Sequence, residues 1–333
     1  MKKIVVFGAT GNIGAYTSMH LKEQGYDVHA VGFRKSDNGF FEAHGMTYYS
    51  LDIKDEKSFY QLPENIYGVV HLAGELPSRH GYSPRGLIDS ILIGTLNVLD
   101  YMVSANAKRI VFPQTPFDQH QHHNTDSLIK ADDPKMFPLT GDHSVYTIAK
   151  NSAVDLIDHY SATYDFKRFH LRFFTIYNYH PNPYHFSNFK RQMMPYRMLM
   201  SRAMESLDIE VWGDSTRSKE MVYIKDLTQL IQKCLEKDAP GGMYNVGGQA
   251  VSLAEQIDGI IEVFSPENNQ SKKIYKPNMP QPLINKFDTS KTEQELEYTQ
   301  EYSYLDSLKD FKLEMEAERF AILWGRKEDF KQE

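Results

Sequence analysis

Tyr146 and Lys150 stand four residues apart in a run whose apolar spacing predicts a helix over about residues 145–164. That spacing projects both side chains from one face, about one turn apart. A free tyrosine, with a pKa of about 10, is a poor base at neutral pH. A neighbouring ammonium favours the phenolate and lowers that value. Such a pair can move a proton at a carbinol or carbonyl oxygen, the step that must accompany hydride transfer at its carbon. The chain has 21 tyrosines, so a Tyr-x-x-x-Lys spacing also arises by chance and takes its meaning from what surrounds it.

A second chemistry-bearing stretch lies near the start. Gly8-Ala9-Thr10-Gly11-Asn12-Ile13-Gly14 follows the apolar residues 4–7 and opens a helical pattern over 13–24. A glycine triplet alone reads equally well as a tight turn. Placed between the first strand and first helix of a βαβ series, it lets the backbone approach a pyrophosphate at a helix N-terminus, where free N–H groups and the helix dipole favour anions. The spacing is GxxGxxG rather than the general GxGxxG.

The series itself is visible downstream. Short apolar runs at 27–31, 46–49, 67–72, 109–112 and 169–173 alternate with helix-length segments, the longest over about 85–105. This alternation implies a parallel sheet covered on both faces. From about Ile176 the rhythm breaks. Residues 178–188, rich in His, Pro, Asn and aromatics, read as an irregular loop, helices are expected over 195–206 and 225–237, and 243–246 reads as a strand returning to the sheet. The expected architecture is α/β: a Rossmann-type doubly wound parallel sheet in residues 1–175. A smaller interleaved α/β substrate cap follows in 176–333, with segments near 220–246 returning to the first unit.

Composition narrows the function. With 333 residues, 41% hydrophobic and 24% charged, the chain reads as an ordinary soluble globular protein. A net charge of -7, from 37 basic and 44 acidic residues, disfavours nucleic acid as the main partner. No uninterrupted apolar run approaches the roughly 18 residues of a membrane span, and the apolar stretch after Lys2-Lys3 is too short for a secretory leader. The single cysteine, Cys234, excludes an internal disulfide and suits the cytoplasm.

Taken in order, the motifs resemble those of the extended short-chain dehydrogenase/reductase family, also called the NAD-dependent epimerase/dehydratase family, of the sugar-nucleotide-modifying type. The matching stretches are the glycine loop, Asp52-Ile53, Val70 to Gly74, Thr115, Tyr146 to Lys150, and Leu171-Arg172-Phe173, with weaker echoes at 221–226 and 244–247. The resemblance implies that Gly8, Thr10, Gly11, Asn12, Ile13 and Gly14 seat a dinucleotide. It places Asp52 and Ile53 beside the adenine and Leu72, Ala73 and Gly74 along the adenosine and ribose. It makes Tyr146 the acid/base, has Lys150 tune it and hold the nicotinamide ribose, and has Thr115 orient the substrate oxygen. Where relatives carry an acidic residue at the end of the second strand, this chain has Gly32, followed by Arg34 and Lys35. An arginine there accommodates a 2′-phosphate, so NADP is expected, with NAD as the alternative. The expected activity is epimerisation or reduction of a nucleotide-activated sugar. The alternatives are a reductase of a non-nucleotide carbonyl compound and a non-catalytic NADP-binding regulator. In relatives the two long helices pair across a dimer, so a homodimer is expected.

The chain also departs from the pattern. Thr115 is followed by Pro116-Phe117, with Asp118 only afterwards, whereas 4,6-dehydratases carry acidic residues directly after this position. Ile91 stands where relatives often have an asparagine supporting the lysine. Lys219 replaces a diphosphate-binding arginine, with Arg217 two residues away, and Thr175 and Asn178-Tyr179 replace the usual asparagine and Gly-Pro. These three positions, Thr175, Arg217 and Lys219, are the substrate-binding candidates, and the run 177–197 is the candidate specificity segment. His120, His122 and His123 lack a companion ligand set of recognisable spacing and read as a surface loop or lid, with no metal expected.

Overall fold

A computed structural model of the chain describes residues 1–77, 83–125, 127–187, 190–284 and 286–330. Its strands in the first half are β1 (Lys3–Phe7), β2 (Asp27–Gly32), β3 (Thr47–Ser50), β4 (Gly68–His71), β5 (Arg109–Gln114) and β6 (Lys167–Arg172). The second half adds β7 (Ile176–Tyr177), β8 (Tyr184–Ser187), β9 (Lys190–Met193), β10 (Ile209–Trp212) and β11 (Ser218–Tyr223). β12 (Gly242–Asn245), β13 (Gln249–Ser252) and β14 (Lys273–Lys276) complete the set.

Seven strands form one sheet in the order β12-β6-β5-β4-β1-β2-β3, with every pair parallel. The doubly wound expectation is met. Strand order reverses between β1 and β4, and ligands of such sheets bind in the crevice beyond the strand ends at that point. The glycine loop leaves β1 there and Leu72 to Gly74 leave β4.

The period-2 side-chain alternation explains why β1 is apolar throughout. Ile4 and Val6 face one core with Leu21 and Leu227, while Val5 and Phe7 face the other with Val98 and Ile157. Helices Asn12–Glu23 and Ile224–Glu236 cover the first face. Pro84–Ser104 and Ser144–Tyr164 cover the second. By length and composition Pro84–Ser104 could cross a membrane; half of its most apolar window is buried inside the protein. Its turns over Ile88–Ile93 are π-helical. Such segments are rare and often mark functional sites.

After β11 the chain re-enters the large sheet through helix Ile224–Glu236 and β12. The remainder builds a smaller layer: a β13-β11-β7 sheet, the parallel pair β10-β14, and helices Pro195–Met204, Leu253–Phe264 and Tyr304–Ala317. One expectation is corrected. Residues 178–188 are not wholly irregular, because β8 pairs antiparallel with β9. Pro181 and Pro183 mask this four-residue strand by reading as turn punctuation; Asn188 and Phe189 lie outside the described residues.

Phe7 is fully buried at the centre of the second core, with ring centroids of Phe59, His71 and Tyr101 at 5.8, 5.9 and 6.2 Å. Phe7→Ala is expected to lower unfolding stability by about 3–5 kcal/mol, measured by urea denaturation.

Candidate active site

The glycine loop is built by close backbone approach. Gly8 has φ +81°, and the amides of Gly8 and Ala9 both donate to the Val31 carbonyl at 2.9 Å. A Cβ on Gly14 would stand 2.1 Å from the Gly8 carbonyl oxygen, and one on Gly8 would stand 2.8 Å from the Leu72 carbonyl carbon. No other residue fits either position. The helix then begins at Asn12 with Gly11 as its N-cap and no side chain capping it. Its first amides are therefore left for an anion. This cradle fits a dinucleotide pyrophosphate.

A cavity of about 660 Å³ opens from the loop and spans the β1/β4 switch point. Gly8, Gly11, Asn12, Ile13, Gly14, Leu72, Ala73, Gly74, Thr115, Tyr146, Lys150 and Thr175 all line it. A smaller cavity of about 230 Å³ adjoins it, sharing Phe174, Thr175 and Leu283, and is lined by Arg217 and Lys219. The fold thus brings the predicted catalytic, pyrophosphate and substrate positions together.

Within the cavity, the buried Lys150 Nζ donates to the Pro113 carbonyl at 3.0 Å and lies 4.3 Å from the Phe112 ring centroid. It is 6.0 Å from the Tyr146 centroid. Burial pulls the Lys150 ammonium down to about 7 and pushes the Tyr146 phenol above its ordinary value. The tyrosine is therefore protonated here, and the hydrogen bond of the lysine goes to the β5 backbone. Thr115 accepts from the Phe117 amide at 3.2 Å, capping a 3-10 turn over Pro116–His122. Its hydroxyl hydrogen is left to donate.

Asp118 is fully buried and paired with Arg172, at 2.8 Å to Nη2 and 3.1 Å to Nε. It braces the loop and does not serve the cavity. Ile91 packs against Gly74, where an added Cβ would lie 3.2 Å from its Cγ1. Beside it the Thr95 hydroxyl donates to the Ile91 carbonyl and accepts from His71 Nε2 at 3.1 Å. Burial, then the charge of Lys150, pulls His71 down to about 3.

Thr10, Arg34, Lys35, Asp52 and Ile53 lie outside the cavity lining. Arg34 Nη1 donates to the Leu323 carbonyl at 2.6 Å, and Lys35 is exposed. A Cβ on Gly32 would meet Thr10 Cγ2 at 2.7 Å and the Tyr48 hydroxyl at 2.9 Å, so a larger residue there requires these side chains to shift. Asp52 accepts from the Lys54 amide at 3.0 Å, capping a turn. Ile53 packs against the Gly94 backbone in the second core.

The histidines form part of the wall. His120, His123 and His143 line the cavity with Phe117, whose ring centroid is 4.0 Å from that of His143. His123 Nε2 donates to the Pro116 carbonyl at 3.0 Å, and burial pulls this imidazole down to about 4. Among the described residues no group of three or more His, Cys, Asp or Glu is arranged to hold a metal. His143, Phe174 and Leu283 escaped the sequence reading. His143 precedes the tyrosine helix and was findable by position, whereas Leu283 arrives from a distant segment without a local signal.

Fold and cavity together define a nucleotide-binding enzyme of the extended short-chain dehydrogenase/reductase type. The profile of the NAD dependent epimerase/dehydratase family matches residues 4–247, and the chain belongs to that family. An uncharacterized protein of Methanocaldococcus jannaschii is 24% identical over 330 residues, covering 93% of this chain and 95% of that one. The fold is similar to UDP-glucose 4-epimerase of Thermotoga maritima with UDP-glucose: TM-score 0.72, 21% identity, 93% and 97% of the two chains. It is also similar to UDP-glucuronic acid 4-epimerase of Bacillus cereus in complex with NAD: TM-score 0.70, 20% identity, 94% and 97%.

Glu220, in the smaller cavity, accepts from the Phe287 amide at 2.8 Å, and burial pushes its carboxyl from 4.5 to about 7. The folded chain holds this proton more tightly than the unfolded chain, so the group's contribution to stability falls as pH rises from about 4.5 to 7. Glu220→Gln removes that loss. Its melting temperature relative to the unsubstituted protein is expected to rise between pH 5 and pH 8, read by thermal denaturation.

Proposed function

We propose that the chain is an NADP(H)-dependent epimerase or reductase of a nucleotide-activated sugar. The observation that carries this reading is the convergence of Tyr146, Lys150 and Thr115 with the uncapped helix N-terminus in one cavity that adjoins a second, lined by Arg217 and Lys219. A bound nicotinamide would supply the hydride acceptor and donor. The Thr115 hydroxyl would donate to the substrate oxygen, with Tyr146 giving a proton to that oxygen as the phenol or taking one from it as the phenolate. Lys150, which donates to the Pro113 carbonyl, would hold the ribose and favour the phenolate. Two cations, Arg217 and Lys219, face the diphosphate, and the Lys219 ammonium lies 5.8 Å from the Tyr177 ring centroid. The UDP-sugar 4-epimerases of similar fold support the substrate class.

NADP is favoured by the lack of an acidic side chain at Gly32 and by Arg34 beside it, although the B. cereus relative is described with NAD. A homodimer is proposed through the two long helices, where Ile93 and Ile148 are 40% and 39% exposed. The single buried thiol, Cys234, fits a cytoplasmic setting.

Two outcomes test this reading. Tyr146→Phe is expected to slow substrate-dependent hydride exchange with the bound dinucleotide by about 100- to 10,000-fold with its binding retained, measured as the transient at the nicotinamide absorbance band in a single turnover. Arg34→Asp is expected to shift the ratio of NADPH to NADH affinity towards NADH; an unchanged ratio excludes Arg34 as the 2′-phosphate partner.

A further inference from the structure

The glycine loop is gripped from two directions by residues remote in sequence. Trp324 is buried, and its indole Nε1 donates to the Thr10 carbonyl at 3.0 Å across 314 positions. The two residues before it make parallel bonds: the Leu323 carbonyl accepts from Arg34 at 2.6 Å, and the Ile322 carbonyl from Asn38 Nδ2 at 2.9 Å. Three successive residues therefore hold the loop after β1 and the loop after β2. The indole is fixed by rings on both sides, with centroids of Phe320 and His180 each 4.4 Å away. From the other direction comes Asn178. It is 1% exposed, and its side-chain amide exchanges reciprocal hydrogen bonds with that of Asn12, one of them 3.1 Å long. The Tyr16 hydroxyl on the same helix donates to the Tyr179 carbonyl at 3.0 Å.

We infer that residues 320–330 are a clasp on the dinucleotide loop, and that Trp324 and Asn38 are positioning residues that set how fast the dinucleotide leaves. The inference rests on the cofactor reading above and extends it to residues outside the cavity's catalytic end. Its physical basis is the composition of the loop. Glycine restricts its own backbone least, so a glycine loop left to itself loses much freedom when it closes on an anion. Anchoring Thr10 and Asn12 in advance removes part of that cost. One of the three bonds, to the Leu323 carbonyl, holds Arg34, the cation beside Gly32. A clasp that releases Thr10 releases Arg34 with it, so phosphate loop and 2′-edge loosen together.

The test uses the full chain, with NADP and NAD as separate probes. Trp324→Phe keeps the ring contacts and removes the donor. Asn38→Asp stays compatible with the left-handed φ of +57° and turns a carboxylate towards the Ile322 carbonyl; Asn38 is exposed, so this variant folds even if the buried substitution does not. Release is followed by competition in a stopped-flow instrument. Trp324 and the 43% exposed Trp212 are the only tryptophans, so Asn38→Asp can be read by native fluorescence. Each variant is expected to release bound dinucleotide roughly five- to tenfold faster, the effect of one lost hydrogen bond, with little change in association rate. Looser packing alone would lower the melting temperature of the dinucleotide-free protein and leave release within twofold of the unsubstituted rate. That pattern in both variants overturns the clasp while leaving the cofactor reading intact. Failure of the unsubstituted protein to take up either dinucleotide overturns both.

Discussion

A guanidinium sunk in the interior organises the mouth of the cleft. Arg172, at the end of β6, donates to Asp118 with two nitrogens and reaches the Asn245 side chain at 3.1 Å and the Ala131 carbonyl at 3.2 Å with the third. The pair is taken almost wholly out of water, so its desolvation cost is high and its attraction is strong only while the surrounding bonds persist. Those bonds are long-range. They join the ends of β5, β6 and β12 to the segment after Thr115, and the Asp118 carbonyl in turn accepts from the Met136 amide at 2.8 Å. The position of Thr115 and the aromatic wall behind it follow from where this charge is held. So does the return of β12 to the sheet, since Asn245 ends that strand.

The cleft itself is poor in settled charge. Every large shift among its titratable groups has burial as its leading cause: Lys150 and His123 are driven towards their neutral forms and Tyr146 towards its protonated one. A site of this kind is tuned by what enters it. On the proposed reading, the phosphates and ribose of a bound dinucleotide would supply the lysine with polar partners in place of the Pro113 carbonyl, tying acid/base competence to cofactor occupancy.

The sheet was legible because its strands carry a local signature. Runs such as residues 4–7 and 109–112 are apolar on both faces, and only a parallel sheet with helices on both sides buries them. The glycine loop was legible for a steric reason that spacing alone conveys. What escaped was non-local. Nothing near Thr10 announces Trp324, and nothing near Phe174 announces Leu283, because both are placed by chain that folds back from the far end. Asp118 shows the same limit: the sequence sets it apart from the acidic residues of dehydratases, and only the fold shows that it is spent on Arg172. The β8–β9 hairpin was missed because prolines dominate the local signal, while the pairing that forms the strand comes from residues outside it.

The π-helical turns over Ile88–Ile93 bear on how this sequence can change. An α-helix advances by about 100° per residue; a wider π turn advances by less, so it takes up one extra residue while the two halves of Pro84–Ser104 keep nearly the phase of regular winding. Removing one residue from Ile88–Ile93 would let the segment rewind as α with both halves still facing the sheet. The same deletion in the regular turns after Gly94 would swing one half by about 100° against the other. The length of this helix can therefore change at its wide turn and is held in its regular ones.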